Sequence, residues 1–563
     1  MSAERPRHTP TLVFLATVMA VCYAPLLVWY AEGCLGAFRF FASDAFYYLA
    51  IAKRSQGAPF FSFDGRFPTN GFHPLWEHLL AWAFEAGDPT PEGRVLIAFG
   101  LSLVATAIGT GLFALAVLRL TRSRTLTLVA SVPGAYYWLL GWTNPHLLSR
   151  WSFANGMESP LSILFFGLLC WLLLARDLLI GRASAARLTA VSALLALLVL
   201  TRLDDVFLLV PFALYAGARA GTRVEALRRT LAVLLLPGLA LAAYLAHNLA
   251  YAGMALPVSG SAKAGGLVAG LLRNGYGVAT TLFPFLDWRP FRAQVWSGEA
   301  WRVLQMLVPA AAGLLYALGH LPRGRTPPAD PDTYRREVLA LLGSYAFLKG
   351  AWNFCFVGLW QQGHWYYPLS LLTFDLVVAA ALADAFRRSA LAVRPALRRL
   401  ALAASLLLVL LSANAFAHLK RAGTYHLESY RLFERRELVQ RALDARCPGC
   451  SILAFDDGII SFSLAAPVMN GLGLALDREA GSARVRGELL ELAYRRGFRL
   501  LSSLDYPLGI GPEADSSTVR RQLESYQNLR GQRLAGFEFR LLFVDPETGA
   551  TFVGFEPQQA PHL

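Results

Sequence analysis

The segment from Phe41 to Trp76, FASDAFYYLAIAKRSQGAPFFSFDGRFPTNGFHPLW, gathers acids, bases, a histidine, aromatics and a Gly/Pro/Asn-rich turn beside the first long apolar run. A bilayer penalises such groups unless they serve a water-filled site. Asp44 is the first candidate. With Ser43 capping a helix through AFYYLAIAKR, Asp44 falls in the first turn, where the helix dipole favours a carboxylate. Such a carboxylate can act as a general base toward a hydroxyl; the alternative is that it only supports the helix end. Thr69 to Trp76 reads as a turn leading into an aromatic segment along the membrane interface, in which His73 either meets a phosphate or anchors the turn.

Four later stretches carry comparable groups. Asn155-Gly156-Met157-Glu158 sets an acid at the start of an apolar run, as dipole complementation or as a carboxylate facing a polar cavity. In Thr201-Arg202-Leu203-Asp204-Asp205, Arg202 and Asp204 can pair with each other or serve a site. Pro257 to Lys263 is a loop with one lysine, suited to grip a phosphate as a point charge. Gln362 to Pro368 brings His364, Trp365 and Tyr366 to a helix entry, as an interfacial belt or as a site wall.

The elements that hold these groups are membrane spans. The 563 residues are 55% hydrophobic and only 16% charged, below the roughly 25% of soluble domains. A net charge of +14 raises nucleic acid as a partner, but its distribution points elsewhere. All but four of the 52 basic residues are arginine, and many stand in short clusters between apolar runs. That is the pattern of membrane topology, not of polyanion binding.

The run 11–30 reads as a retained first helix, not a cleaved leader. Further spans are expected near 94–118, 125–142, 157–175, 188–201, 205–218, 229–247, 302–319, 335–355, 365–386 and 399–418. With about eleven spans the arginine clusters and the N-terminus fall on the cytoplasmic side. The candidate residues then share the outer side with the C-terminus.

From about Arg421 the patterning becomes that of a soluble α/β domain. Ser451–Asp457 and Phe498–Ser503 read as strands, Ala483–Arg496 and Ser516–Leu529 as helices, and Phe537–Asp545 with Thr551–Glu556 as a hairpin. The expected division is a membrane domain over 1–420 and an extracytoplasmic domain over 421–563. Cys447-Pro-Gly-Cys450 precedes a strand, where a local disulfide or structural turn is favoured over redox or metal chemistry.

Asp44-x3-Tyr48-Leu49-x-Ile51-Ala52, Phe63-Asp64-Gly65 and Thr69 to Trp76 resemble the first outer loop of bacterial GT-C superfamily glycosyltransferases. Asn155 to Ser159, Arg202-Leu203-Asp204, Pro257 to Gly260 with Lys263, and His364 to Pro368 resemble later motifs of such proteins. The resemblance implies a polytopic helical enzyme of the EC 2.4 class in the bacterial inner membrane. It would move a sugar from a polyprenyl-phosphate donor to a hydroxyl of an envelope glycan, lipid or protein; direct displacement with one base would invert the anomeric carbon. Asp44 is then the essential acid. Lys263, His364 and Arg202 are assigned to the donor phosphate, and Tyr48, Asn70, His73, Glu158, Asp204, Trp365 and Tyr366 to the substrate cavity. Relatives often have two consecutive acids where this chain has Ser43-Asp44, so no cofactor is called for and a divalent metal is left open. A flippase for lipid-linked sugars would place its polar groups nearer mid-membrane, and a non-catalytic envelope receptor would not depend on Asp44.

Overall fold

A computed structural model of the protein describes residues 27–131, 154–180, 183–263, 266–282, 300–321, 328, 330–357, 366–388, 403, 427–455, 458–504 and 508–558. The chain divides into two compact units, each built from three stretches. Residues 1–31, 100–242 and 264–423 make the helical unit; 32–99, 243–263 and 424–563 make the mixed unit.

In chain order the segment ahead of the first long apolar helix holds α1 (Cys34–Phe40), α2 (Ala45–Arg54) and α3 (Pro74–Gly87). Then come α4 (Pro91–Thr121), α5 (Arg124–Ser131), α6 (Ser159–Cys170), α7 (Ala185–Thr201), α8 (Leu209–Ala218) and α9 (Arg223–Ala252). The short α10 (Val258–Lys263) precedes α11 (Leu267–Leu282), α12 (Ala300–His320), α13 (Pro331–Phe356) and α14 (Pro368–Arg388). The C-terminal stretch adds α15 (Leu427–Arg446), α16 (Ile459–Ser463), α17 (Arg478–Val485), α18 (Leu489–Arg495) and α19 (Ser516–Ser525). Its strands are β1 (Ser451–Ala454), β2 (Val468–Asn470), β3 (Phe498–Ser503), β4 (Phe537–Val544) and β5 (Thr551–Pro557).

Among the described residues α4, α9, α13 and α14 are long and apolar enough to cross a membrane, and shorter apolar helices lie at Ser159–Ala175, Ala185–Thr201 and Met306–His320. The expected spans at 11–30 (but for its last four residues) and 399–418 (but for one residue) lie outside the described residues, as does 125–142 beyond Ser131. The stretch expected as a span over 205–218 opens with a 3-10 turn, Leu203–Leu208, and leaves only ten residues of α-helix in α8.

Helix contacts in the helical unit rely on glycine, as lipid-embedded packing favours. A Cβ on Gly167 of α6 would strike the Gly109 carbonyl of α4, and one on Gly109 would stand 2.6 Å from Ile163 O. Arginines of these clusters also form buried ion pairs. Arg219 pairs with Glu337, and Arg335 with Asp177 at 2.8 Å, bolting α13 to its neighbours through buried guanidiniums.

The five strands form one sheet in the order β2-β1-β3-β5-β4. β1 runs parallel to β2 and β3, while β5 is antiparallel to β3 and β4. The expected hairpin is present, with Phe539 opposite Phe555. Leu489, Leu492, Val519 and Leu523 from α18 and α19 pack with Leu453, Leu501, Val553 and Phe555 of the sheet. The helix expected over Ala483–Arg496 is broken into α17 and α18, because Gly487 takes a positive φ of 76° and its position leaves no room for a side chain beside the Gly531 carbonyl. β2, only three residues long, carries too short a pattern to be read from sequence. Cys447 and Cys450 form a disulfide after α15, with a Cα–Cα distance of 5.5 Å.

Candidate active site

Asp44 is itself the N-cap of α2, with φ −61° and ψ −18°, and is half-buried. Its side chain makes no capping hydrogen bond. The cap expected at Ser43 is thus displaced by one residue. A tight turn precedes the helix, in which the amides of Ala45, Phe46 and Tyr47 donate to the carbonyls of Ala42, Ser43 and Asp44 at 2.9–3.2 Å. Every residue from Ala45 to Ala52 is buried, including Tyr48. Asp44 is thus a half-exposed polar group directly ahead of eight buried residues, and only Lys53 and Arg54 at the far end of the helix are comparably exposed.

Asn70 is fully buried. Its amide donates to the carbonyls of Met254 and Leu256, each at 3.0 Å, and its oxygen accepts from Val258 N at 3.0 Å. It therefore clamps the loop that starts α10, whose last residue is Lys263; the Lys263 side chain lies outside the described residues. His73 is the N-cap of α3, half-buried, with its carbonyl accepting from Glu77 N at 3.3 Å. Asp64 closes its own turn by accepting from the amides of Arg66 and Phe67 at 2.7 and 2.8 Å. One group here went unnoticed in the sequence. Glu77 is buried with neither oxygen hydrogen-bonded, and burial holds its carboxyl well above the usual range.

Within the helical unit four of the expected residues, drawn from three separate loops, meet at one place. Asn155 accepts from Met157 N at 3.1 Å and Gly156 has φ 73°, so the loop turns and delivers Glu158 to the N-cap of α6. Arg202 ends α7 with a 1% exposed guanidinium. One amino group donates to Glu158, and Nε and Nη2 grip both oxygens of Asp204 at 3.1 and 3.2 Å. The same guanidinium lies 4.9 Å over the ring of Tyr366.

The cluster continues through residues the sequence reading passed over. Lys349, deep in α13, reaches Asp205 at 2.6 Å and Asp204 at 3.1 Å, and the Tyr345 hydroxyl donates to Asp205 at 2.6 Å. A lysine within an apolar helix, one of only four in the chain, was the available signal. Three carboxylates thus surround two cations. Arg202, expected at the donor phosphate, is bracketed by two of them, an arrangement that neutralises it. His364 and Trp365 lie outside the described residues.

Among the described residues no group of three or more His, Cys, Asp or Glu side chains is placed to hold a metal ion. Glu158 and Asp204 both face the Arg202 guanidinium.

No protein-family model matches the chain, and neither does any curated protein. Solved structures do. The Archaeoglobus fulgidus oligosaccharyltransferase in its apo form aligns over 99% of this chain and 75% of its own, at 14% identity and a TM-score of 0.49. ArnT from Cupriavidus metallidurans, bound to undecaprenyl phosphate, aligns over 97% of this chain and 98% of its own, at 12% identity and a TM-score of 0.44.

Proposed function

We propose that the protein transfers a glycosyl group from a polyprenyl-phosphate sugar to a hydroxyl of an envelope glycan, lipid or protein, on the outer face of the membrane. The observation that carries this reading is the contrast among its acids. Glu158, Asp204 and Asp205 hold cations inside the helical unit. Asp44 sits half-exposed at a helix N-terminus, without a capping bond, in the segment richest in polar and aromatic groups.

Asp44 takes the acceptor proton as the acceptor oxygen attacks the anomeric carbon. The bond from that carbon to the donor phosphate oxygen breaks, and the polyprenyl phosphate leaves with its electron pair. Direct displacement with one base inverts the anomeric centre. A phosphate leaving group needs cations and no acid. Lys263, held on the α10 segment that Asn70 clamps, and His364 are assigned that task in place of the neutralised Arg202. Tyr48, His73, Trp365 and Tyr366 are assigned to the cavity wall.

The test uses purified protein with defined polyprenyl-phosphate hexoses and pentoses and an envelope extract as acceptor, following release of polyprenyl phosphate. Asp44→Asn keeps the shape but removes the basic oxygen, so release should slow by roughly 100- to 10,000-fold with donor binding retained. Near wild-type turnover in Asp44→Asn would remove Asp44 as the base.

A further inference from the structure

We infer that the C-terminal sheet region is a working part of the transfer site, because it fixes α2 at both ends and so aims Asp44. The inference rests on the proposed role of Asp44 as base, and on contacts that all lie within the mixed unit.

At the first turn of α2 the contact is backbone to backbone. Gly458, the N-cap of α16, has φ 94°, and a Cβ on it would stand 2.7 Å from Phe46 C and from Tyr47 N. No side chain fits there without pushing α2 away. One residue along, the Tyr47 hydroxyl accepts from Asn470 Nδ2 at 3.1 Å. Asn470 ends β2, and its oxygen accepts from the amides of Gly473 and Leu474 at 2.8 Å and of Ala475 at 3.3 Å. The hydroxyl three residues after Asp44 is therefore tied to the end of a sheet strand through a rigid turn.

The last turn of α2 is held by charge. Lys53 donates to the carbonyls of Phe462 at 2.6 Å and Leu464 at 3.1 Å. Arg54 donates to those of Leu464, Ala465 and Ala466 at 3.0, 3.0 and 2.6 Å. These carbonyls lie in the last turn of α16, at its C-cap Leu464 and in the two residues beyond it, where a helix end lacks internal donors. Between the two ends Phe46 packs on Phe462, which stacks on Phe433 of α15. α2 and α16 thus run side by side with matched ends, and a rotation or slide of α2 would break one set of contacts or the other. An error of about 1 Å in a reacting group can cost roughly 100-fold in rate.

Tyr47 and Gly458 are accordingly positioning residues. Tyr47→Phe removes the bond to Asn470 and keeps the ring. Gly458→Ala displaces the first turn. The full chain in lipid nanodiscs would be compared as wild type, Tyr47→Phe, Gly458→Ala and Asp44→Asn in three measurements. These are polyprenyl phosphate release from the defined donors, the Kd for undecaprenyl phosphate, and backbone hydrogen exchange over residues 43–55. Tyr47→Phe should slow release by up to about 100-fold, leave the Kd within about 2-fold, and speed exchange in the first turn of α2. If Gly458→Ala fails to fold, Tyr47→Phe decides alone. Wild-type release and exchange in Tyr47→Phe, with Asp44→Asn inactive, would overturn the inference and leave the proposed base in place. Slow release from Tyr47→Phe accompanied by equally weakened undecaprenyl phosphate binding would also overturn it, by showing general disruption. An active Asp44→Asn would instead overturn the proposed function.

Discussion

At the scale of single residues, the acids and bases that looked equivalent in the sequence have separate fates. Asp44 is half-exposed, whereas Arg202 and Lys349 are each 1% exposed and held by carboxylates. Removing one partner of a buried pair leaves an uncompensated charge and costs about 3–5 kcal/mol. Lys349→Met should lower the melting temperature in nanodiscs sharply, and adding Asp205→Asn should recover much of the loss. A double variant no better than the single one would show that the lysine stabilises by some other contact. Glu77 makes a pH prediction. Its folded form keeps the proton over a range in which the unfolded chain, with a carboxyl near 4.5, releases it. The unfolded state therefore binds fewer protons, and this group's contribution to stability falls as pH rises above about 4.5 until the folded carboxyl also ionises. Glu77→Gln should flatten that fall, seen as a smaller drop in melting temperature between pH 5 and pH 8 than in wild type.

At the scale of elements, helix packing depends on a few positions where backbones touch. Gly167 of α6 lies against the Gly109 carbonyl of α4, so Gly167→Ala must separate two helices that each carry other contacts. Overpacking of this kind costs about 1–3 kcal/mol. The variant should melt lower than wild type, while Gly111→Ala, where added carbon meets nothing within 4 Å, should not. Equal melting of the two variants would show that the close crossing is relaxed without cost. The same scale explains the misread helix over Ala483–Arg496. Its apolar pattern continues through Gly487, and only the approach of the Gly531 carbonyl shows why the chain turns there.

At the scale of the molecule, the arginine clusters and an expectation of about eleven spans predict that the C-terminus lies outside. A C-terminal alkaline phosphatase fusion should be active in cells and a C-terminal green fluorescent protein fusion dark. The reverse result would place the sheet region in the cytoplasm and end the proposal of an outer-face enzyme. The Cys447–Cys450 disulfide fits the outer placement, because oxidising compartments retain such bonds.

Composition and patterning determined the long apolar helices, the strands and helices after about residue 420, and the loops in which polar and aromatic groups gather. Those are properties of local stretches: hydropathy over a span, alternation over a strand, polar residues beside an apolar run. Which loop residues stand together was a different matter. Glu158, Arg202 and Asp204 were each ambiguous alone, and Lys349, 145 residues beyond Asp204, carried no mark of its partners. Likewise the linear boundary at 420 hides the interleaving of residues 32–99 and 243–263 with the C-terminal stretch. Lys53 and Phe462 are 409 residues apart, and nothing in either sequence neighbourhood records that a lysine at one helix end will meet the open carbonyls of another. Contacts of that kind are decided by packing in three dimensions, where burial and the shortage of other partners select one pairing from many.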